Sequence, residues 1–247
     1  REDGTTPYRL GDQDLSLFFG QSSFSQYVVT RASNAVVVDP DVDLTLLGPL
    51  GCGIQTGSGT VLNRLKPVVG ESLVVFGCGA VGLSAIMAAK LTGCSQIIAV
   101  DIHASRLALA GELGATHQIN GKEQDAVAVI KQITGKGAHY AVETTGVSAI
   151  VLQAVHAVKP LGTVAIVGFT GDITLNVQND LMAEGKSLVG VIEGDAVPAL
   201  FIPLLVQLYK QGKFPIDKLI ARYPLADINQ AFADSASGKV IKPVVVM

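Results

Sequence analysis

Charge is scarce in this chain of 247 residues: Asp, Glu, Lys and Arg together make up 16% of it, and neither sign collects into a long run. With 18 Lys+Arg against 21 Asp+Glu the net charge is -3 and the pI is near 5.8. That excludes an extended basic groove for nucleic acid and a polybasic membrane patch. No apolar run reaches the roughly 20 residues that span a bilayer. The longest strongly apolar stretch, Ala199 to Leu208, is interrupted by Pro203 and reads as a helix of a soluble protein. No nucleic-acid or membrane partner is expected. Only three cysteines occur, Cys52, Cys78 and Cys94, an odd number at wide spacing. They fit neither a disulfide framework nor a CxxC zinc knuckle and point to a reducing cytoplasm. An initiator Met and a signal-peptide apolar segment are both lacking at Arg1, so the chain is expected to be a piece of something longer.

Apolar residues, by contrast, are abundant: 49% of the chain, with a mean hydropathy of +0.44. This excludes a disordered chain and suggests a sheet covered on both faces. The length allows one to two domains. In the first fifty residues the β-branched runs Ser25 to Thr30 and Ala35 to Val38, separated by Ser33-Asn34, read as strands of a small β-rich lobe. Asp43 caps a short helix toward Leu47, and a second helix runs from about Gln55 to Leu65 before the turn-rich Lys66 to Glu71.

From Ser72 short apolar runs alternate with helical segments. Strands are expected at Leu73–Phe76, Gln96–Val100, His117–Ile119, Tyr140–Val142, Thr163–Val167 and Ser187–Ile192, with helices between them at 80–91, 104–113, 123–133 and 148–158. Such alternation implies right-handed βαβ units and a doubly wound parallel α/β sheet. A helix from Val197 to Gln211, a polar connection, a helix at Leu225–Ala233 and a strand at Val240–Val246 follow. The expected organisation is a remnant of a β-rich domain at 1–52, an α/β domain at 53–193 and a return to the first domain at 194–247.

The strongest local signal is Gly77-Cys-Gly79-Ala80-Val81-Gly82, directly after a strand and opening a helix. In such a turn the first Gly permits the tight bend, the second lets backbone amides approach a pyrophosphate, and the third allows helix and strand to pack closely; the helix N-terminus then faces the phosphates. Asp101 ends the next strand nineteen residues after Gly82, the spacing of a carboxylate that takes the adenosine ribose hydroxyls. A 2′-phosphate would be repelled there, which favours NAD over NADP. Arg106 and His103 lie nearby; Arg106 could lie over the adenosine ribose, whereas His103 reads as a solvated loop residue. A methyltransferase loop usually lacks the third, helix-packing Gly.

Together these residues resemble the zinc-dependent medium-chain alcohol dehydrogenases, over almost all of the chain. Phe18-Phe-Gly20 with Ser22 to Tyr27 is similar to the strand before that family's cofactor domain, and Leu50-Gly-Cys-Gly-Ile-Gln-Thr-Gly57 to its junction motif. The resemblance implies Cys52 as a ligand of the catalytic zinc and Thr56 as a nicotinamide contact. Glu143-Thr-Thr145-Gly146, Val167-Gly168 and Gly190-Val191-Ile-Glu193 fall in the family's order. It implies that Val81 packs on the nicotinamide, that backbone groups of Val167, Val191 and Glu193 hold its carboxamide, and that Lys242 takes the pyrophosphate. Ile102, Thr145, Gly146 and Gly168 belong to the same expected cofactor-binding set. Ile192-Glu-Gly-Asp195, Phe201-Ile-Pro203 and Gly212-Lys-Phe-Pro215 look most like the aryl-alcohol (benzyl alcohol) branch.

The lobe that carries the family's other zinc ligands and proton relay is not in this sequence. A catalytic zinc takes three protein ligands, and Cys52 alone does not supply them. The four histidines, His103, His117, His139 and His156, fall inside the α/β repeat, far along the chain from Cys52; Cys78 and Cys94 read as small buried thiols. Three functions stay open: an NAD-dependent alcohol dehydrogenase, zinc-assisted in its full-length parent, acting on an alcohol or aldehyde; a zinc-free quinone or enone reductase, against which Cys52 argues; and a non-catalytic NAD-binding module. The chain itself is expected to hold no catalytic zinc and to show little activity. Its apolar last strand is expected to pair across a two-fold axis into a homodimer, or a homotetramer of such dimers.

Overall fold

The computed structural model describes residues 5, 6, 8–15 and 24–247. The Phe18-Phe-Gly20 motif and Ser22-Ser23 lie outside the described residues. A short antiparallel hairpin, β1 (Tyr8–Leu10) and β2 (Gln13–Leu15), comes first. The helix α1 (Gly53–Gly59) continues as a π-helical turn to Leu65, where Lys66 adopts a left-handed conformation (φ 50°) and ends it.

The centre of the molecule is a six-stranded parallel sheet. Its elements in chain order are β3 (Ser72–Phe76), α2 (Ala80–Thr92), β4 (Gln96–Asp101), α3 (Ala104–Leu113), β5 (His117–Asn120), α4 (Ala126–Thr134), β6 (Ala138–Glu143), α5 (Ser148–Ala157), β7 (Val158–Ile166) and β8 (Ser187–Gly190). The strand order is β5-β4-β3-β6-β7-β8, every pair parallel. The reversal of direction between β3 and β6 makes a doubly wound sheet with a crevice at the carboxyl ends of its central strands. The expected α/β class is the one observed.

The side-chain alternation of β3 explains why the sheet is covered twice. Leu73 and Val75 join one core with Ile54, Leu83, Ile86, Leu107 and Phe201; Val74 and Phe76 join another with Ile119, Ile130, Ala154 and Val155. Each core seals one face, so β3 is buried at all five positions.

After β8 the chain forms α6 (Pro198–Lys210), β9 (Ile220–Pro224), α7 (Ile228–Ala236) and β10 (Lys242–Val246). The inward residues of α6, Phe201, Ile202, Leu205 and Val206, enter the first core. β9 and β10 pair in parallel, so β9–α7–β10 is a further βαβ unit; its helix and last strand are the expected ones, whereas β9 forms in the stretch read as a polar connection.

The strands expected at Ser25–Thr30 and Ala35–Val38 do not form. A β-branched run fits a pleated surface but becomes a strand only beside a partner. Here Val36 and Val38 turn toward the core while Val37 stays exposed, an alternation without a ladder. Asp43 does cap the turn Leu44–Leu46, accepting from the Thr45 N–H at 2.9 Å.

At the amino ends of β3 and β6, the Ser72 N–H donates to His139 Nδ1 (3.1 Å) and the Ser72 hydroxyl lies 2.8 Å from the same nitrogen. That nitrogen must carry its lone pair. Burial, with Lys159 nearby, pushes the His139 pKa below its usual value, against a smaller opposing effect of Glu71. The unfolded chain therefore binds the proton more readily than the native one, and stability should fall as pH drops below about 6.5, levelling off once the native imidazole also titrates. Urea unfolding from pH 8 to pH 5 should show this slope in the parent and a shallower one in His139→Gln; identical slopes would contradict the assignment.

Candidate cofactor site and the Cys52 junction

At the carboxyl end of the sheet lies a cavity of about 560 Å³. Its floor is the turn from β3 into α2, where Gly77, Gly79, Ala80 and Val81 line it. Gly77 has φ 90°, a left-handed conformation, and a Cβ there would meet the Thr144 hydroxyl at 2.6 Å. A Cβ on Gly79 would meet nothing within 4 Å, so this position is open toward the cavity it lines. A Cβ on Gly82 would overlap the Gly77 carbonyl oxygen. The three glycines thus serve a bend, an open cradle and a close helix–strand contact.

Asp101, buried at the end of β4, faces this turn. Its Oδ2 accepts from the Cys78 N–H (2.6 Å), and its Oδ1 from the N–H groups of Ile102 (2.7 Å) and His103 (2.9 Å). Asp101, Ile102 and Arg106 line the next wall, and Lys242 at the start of β10 closes another side. The Arg106 Nε is buried without a hydrogen-bond partner among the described residues, and its guanidinium lies against Gly238. His103, read from sequence as a solvated loop residue, is exposed and also borders the cavity.

The third wall is the turn after β6. Glu143 is fully buried, and its carboxylate accepts from the N–H of Thr145 (2.6 Å), the hydroxyl of Thr145 and the N–H of Gly146 (3.1 Å). The turn is held so that the Thr144 hydroxyl donates to the Phe76 carbonyl at 2.9 Å, beside Gly77. Thr145 lines the cavity; Gly146 lies behind it, against Phe169. Beyond it Val147, Ile150 and Gln153 on the approach to and first turns of α5, and Gly121 after β5, complete the wall. Sequence reading missed these four; the signal available was their position just past the carboxyl ends of strands flanking the crevice.

Val167, Gly168, Val191 and Glu193 do not line the cavity. The Val167 and Gly168 N–H groups donate to the Glu143 carbonyl (2.9 and 3.1 Å), and Val191 N–H donates to Ile166 (3.0 Å). Past them the chain turns sharply through Glu193 (φ 49°), Gly194 (φ 68°) and Asp195 (φ 48°). Gly194 presses against Gly59 and the Gln55 carbonyl of α1, backbone on backbone. This contact delivers Glu193 to the N-terminus of α1, where Cys52 is the capping residue. Glu193 Oε1 lies 3.6 Å from the Cys52 sulfur; Oε2 accepts from Gln55 Nε2 at 3.0 Å. The Thr56 hydroxyl donates to the Cys52 carbonyl at 2.8 Å. Desolvation, and then the Glu193 carboxylate, push the Cys52 thiol pKa up.

Among the described residues no group of three or more His, Cys, Asp or Glu is placed to hold a metal. Three of the four histidines are engaged elsewhere, His139 with Ser72, His117 with Thr116 (2.9 Å) and His156 with Asp180 (3.0 Å), and His103 borders the cavity. The donor set at Cys52 therefore does not complete the three-ligand zinc site that the resemblance implies.

The sheet order, with a glycine turn and a facing carboxylate at its crevice, defines a doubly wound α/β protein. A family model described as zinc-binding dehydrogenase matches residues 80–210, and the chain belongs to that family, the medium-chain alcohol dehydrogenases. It is similar to the benzyl alcohol dehydrogenase of Acinetobacter calcoaceticus, with 52% identity, a TM-score of 0.90, and 92% of this chain matched to 64% of that one. An alcohol dehydrogenase zinc-binding domain protein from Burkholderia ambifaria gives the same identity and TM-score over 93% of this chain and 63% of its own. Geraniol dehydrogenase of Castellaniella defragrans is 44% identical over 237 residues, 94% of this chain and 63% of that protein. The chain thus spans just under two thirds of the length of these relatives.

The glycine geometry separates fold from binding. Gly82→Ala should destabilise the chain by about 1–3 kcal/mol, because the methyl must displace backbone. Gly79→Ala should cost only a few tenths of a kcal/mol at a helix N-cap yet weaken dinucleotide binding. Thermal melts with and without NAD check both; equal melts for the two apo variants would refute this division.

Proposed function

We propose that this chain is the cofactor-binding part of an NAD-dependent alcohol dehydrogenase that interconverts an alcohol, of aryl or allylic type, and its aldehyde. The observation that carries the reading is the Gly77–Gly82 turn with the Asp101 carboxylate fixed across it at the edge of the cavity. The names of the benzyl alcohol and geraniol dehydrogenases support the substrate class. Three free thiols fit a reducing cytoplasm, and no helix among the described residues is long and apolar enough to cross a membrane.

Bound NAD would supply the hydride acceptor: the carbinol carbon loses a hydride to C4 of the nicotinamide and the hydroxyl proton leaves to solvent. The chain's residues bind and orient. The N–H groups at the start of α2 and the Lys242 ammonium, which line the cavity, would hold the pyrophosphate. Asp101 keeps lone pairs for the ribose hydroxyls beside its three backbone donors, and Arg106 borders the same end. Val81 and Thr56 would flank the reacting ring, and backbone groups of Val167, Val191 and Glu193 would meet the carboxamide, the N–H groups of Val167 and Val191 being used within the sheet. The described donors do not complete a zinc site.

Asp101→Gly should weaken NAD about tenfold or more, the value of one or two hydrogen bonds to a charged group, and relax the preference over NADP. Calorimetric titration with both dinucleotides tests this; unchanged affinities for both would end the assignment.

The same reading extends to assembly as a homodimer, or a tetramer of dimers, through β8, the last strand in the sheet order. Because the Val191 N–H points to β7, those of Leu188 and Gly190 point outward by alternation. Gly190→Pro should therefore dissociate the assembly while sparing the β7–β8 ladder. Sedimentation equilibrium decides, and a parent already monomeric at micromolar concentration would overturn the proposal.

A further inference from the structure

A groove of about 700 Å³ lies apart from the cofactor crevice and shares no lining residue with it. Two helices connect them. The first turns of α2 and α3 carry Ala80, Val81 and Arg106 to the crevice, whereas their last turns carry Lys90, Leu91, Glu112 and Leu113 to the groove. At 1.5 Å per residue the two ends of α2 stand roughly 15 Å apart. The facing wall comes from α6, whose Leu204 and Leu208 lie one turn apart on the same face, and from the turn after it.

We propose that this groove binds a free medium-chain aliphatic carboxylate, its alkyl chain along the leucines and its charged end met by Lys90 and Lys213. The lining selects that chemistry. Leu62, Leu91, Leu113, Leu204, Leu208 and Pro215 form an aliphatic floor, with no aromatic ring to stack on a planar ligand and no hydroxyl or amide side chain to pair a polar one. Leu204 is 44% exposed, so apolar surface there stands in water until something covers it. A cavity of this size, mostly apolar with a few charged groups at its margin, has the form of a small-molecule site. An acidic peptide would bring backbone polar groups that this floor leaves unpaired.

The charge balance favours an anion. Glu112, the one carboxylate of the lining, is paired with Lys218 at 3.3 Å. The ammonium groups of Lys90 and Lys213 have no ion-pair or hydrogen-bond partner among the described residues. Nor do the helix ends use them: the Gly93 N–H donates to the Lys90 carbonyl (3.2 Å), the Gly114 N–H to that of Ala110 (3.1 Å) and the Gly212 N–H to that of Tyr209 (2.8 Å). The Lys90 stem is laid over Gly114, where φ is 130° and a Cβ would meet Lys90 Cδ at 2.8 Å. Two uncommitted positive charges therefore border an aliphatic floor, which is the complement of an alkyl chain ending in a carboxylate.

The test is calorimetric titration of the chain with decanoate, set beside octanoate, benzoate and decyltrimethylammonium, which has the same tail and the opposite charge. Decanoate should bind one per chain, octanoate about tenfold more weakly for two methylenes lost, and benzoate and the cation more weakly still. Lys90→Glu and Lys213→Glu should each raise the decanoate Kd about fivefold, and Leu204→Glu about tenfold or more, because it places a charge on the floor. These positions lie outside the cofactor cavity, so NAD affinity should stay as in the parent. Circular dichroism melts identify a variant that fails to fold; if Leu204→Glu does, the two lysine variants decide. Equal affinity for decanoate and the cation, or unchanged decanoate affinity in both folded lysine variants, overturns the site. Displacement of decanoate by NAD would put it in the crevice, and affinity that falls with protein concentration in step with self-association would give the groove to a second copy; either result overturns the proposal.

Discussion

The Asp101 carboxylate accepts three backbone N–H groups, those of Cys78, Ile102 and His103, and so joins the glycine turn at the end of β3 to the exit of β4. A buried carboxylate persists only where donors compensate its lost hydration. Here the compensation comes from main chain, which makes the ion a structural part of the loop before any ligand arrives. The tie holds the glycine turn that leads into α2 beside the loop that leads into α3, which carries Arg106. Glu143 repeats the device on the other side of β3, where its carboxylate gathers the turn after β6. The two strands flanking β3 thus each end in a buried carboxylate that shapes a loop over the crevice.

The second centre, around Cys52, is organised by steric contact. Gly59 and Gly194 meet with no side chain between them. Because the 193–195 turn follows the edge strand β8 while α1 precedes the first strand of the sheet, this contact links the beginning and the end of the α/β unit. The Cys52–Glu193 pair therefore stands 141 residues apart in sequence and depends on the whole sheet being in register.

The doubly wound sheet was legible because its central strands are apolar at successive positions, as burial on both faces demands, and because three of the helices between them end at glycines. Gly93 and Gly114 stand just past α2 and α3. The glycine turn and Asp101 were legible for the same reason: backbone conformation and spacing are sequence properties. Glu193 as a side-chain partner of Cys52 was not legible, since only closure of the sheet brings the two together. The misread strands before residue 40 show the reverse case, in which Val28, Val29 and Val37 carry β propensity but no edge to pair with. β9 escaped notice because Ile220–Pro224 is only half-buried, which dilutes its alternation.

The ion pairs Asp39–Lys210 and Asp43–Arg222, at 2.5 and 2.6 Å, fasten the segment before α1 to the segment after β8. Their partners are 171 and 179 residues apart in sequence. Chain closure over such a span costs entropy that only neighbouring βαβ units, formed first, can offset. The connectivity predicts an order of events on folding, with the sheet assembling from local crossovers and the two flanking segments docking onto it last. Exposed on the surface and screened by salt, this clasp is also where the native state would first open, so proteolytic nicking in moderate salt should begin at the flanks and spare the cofactor crevice.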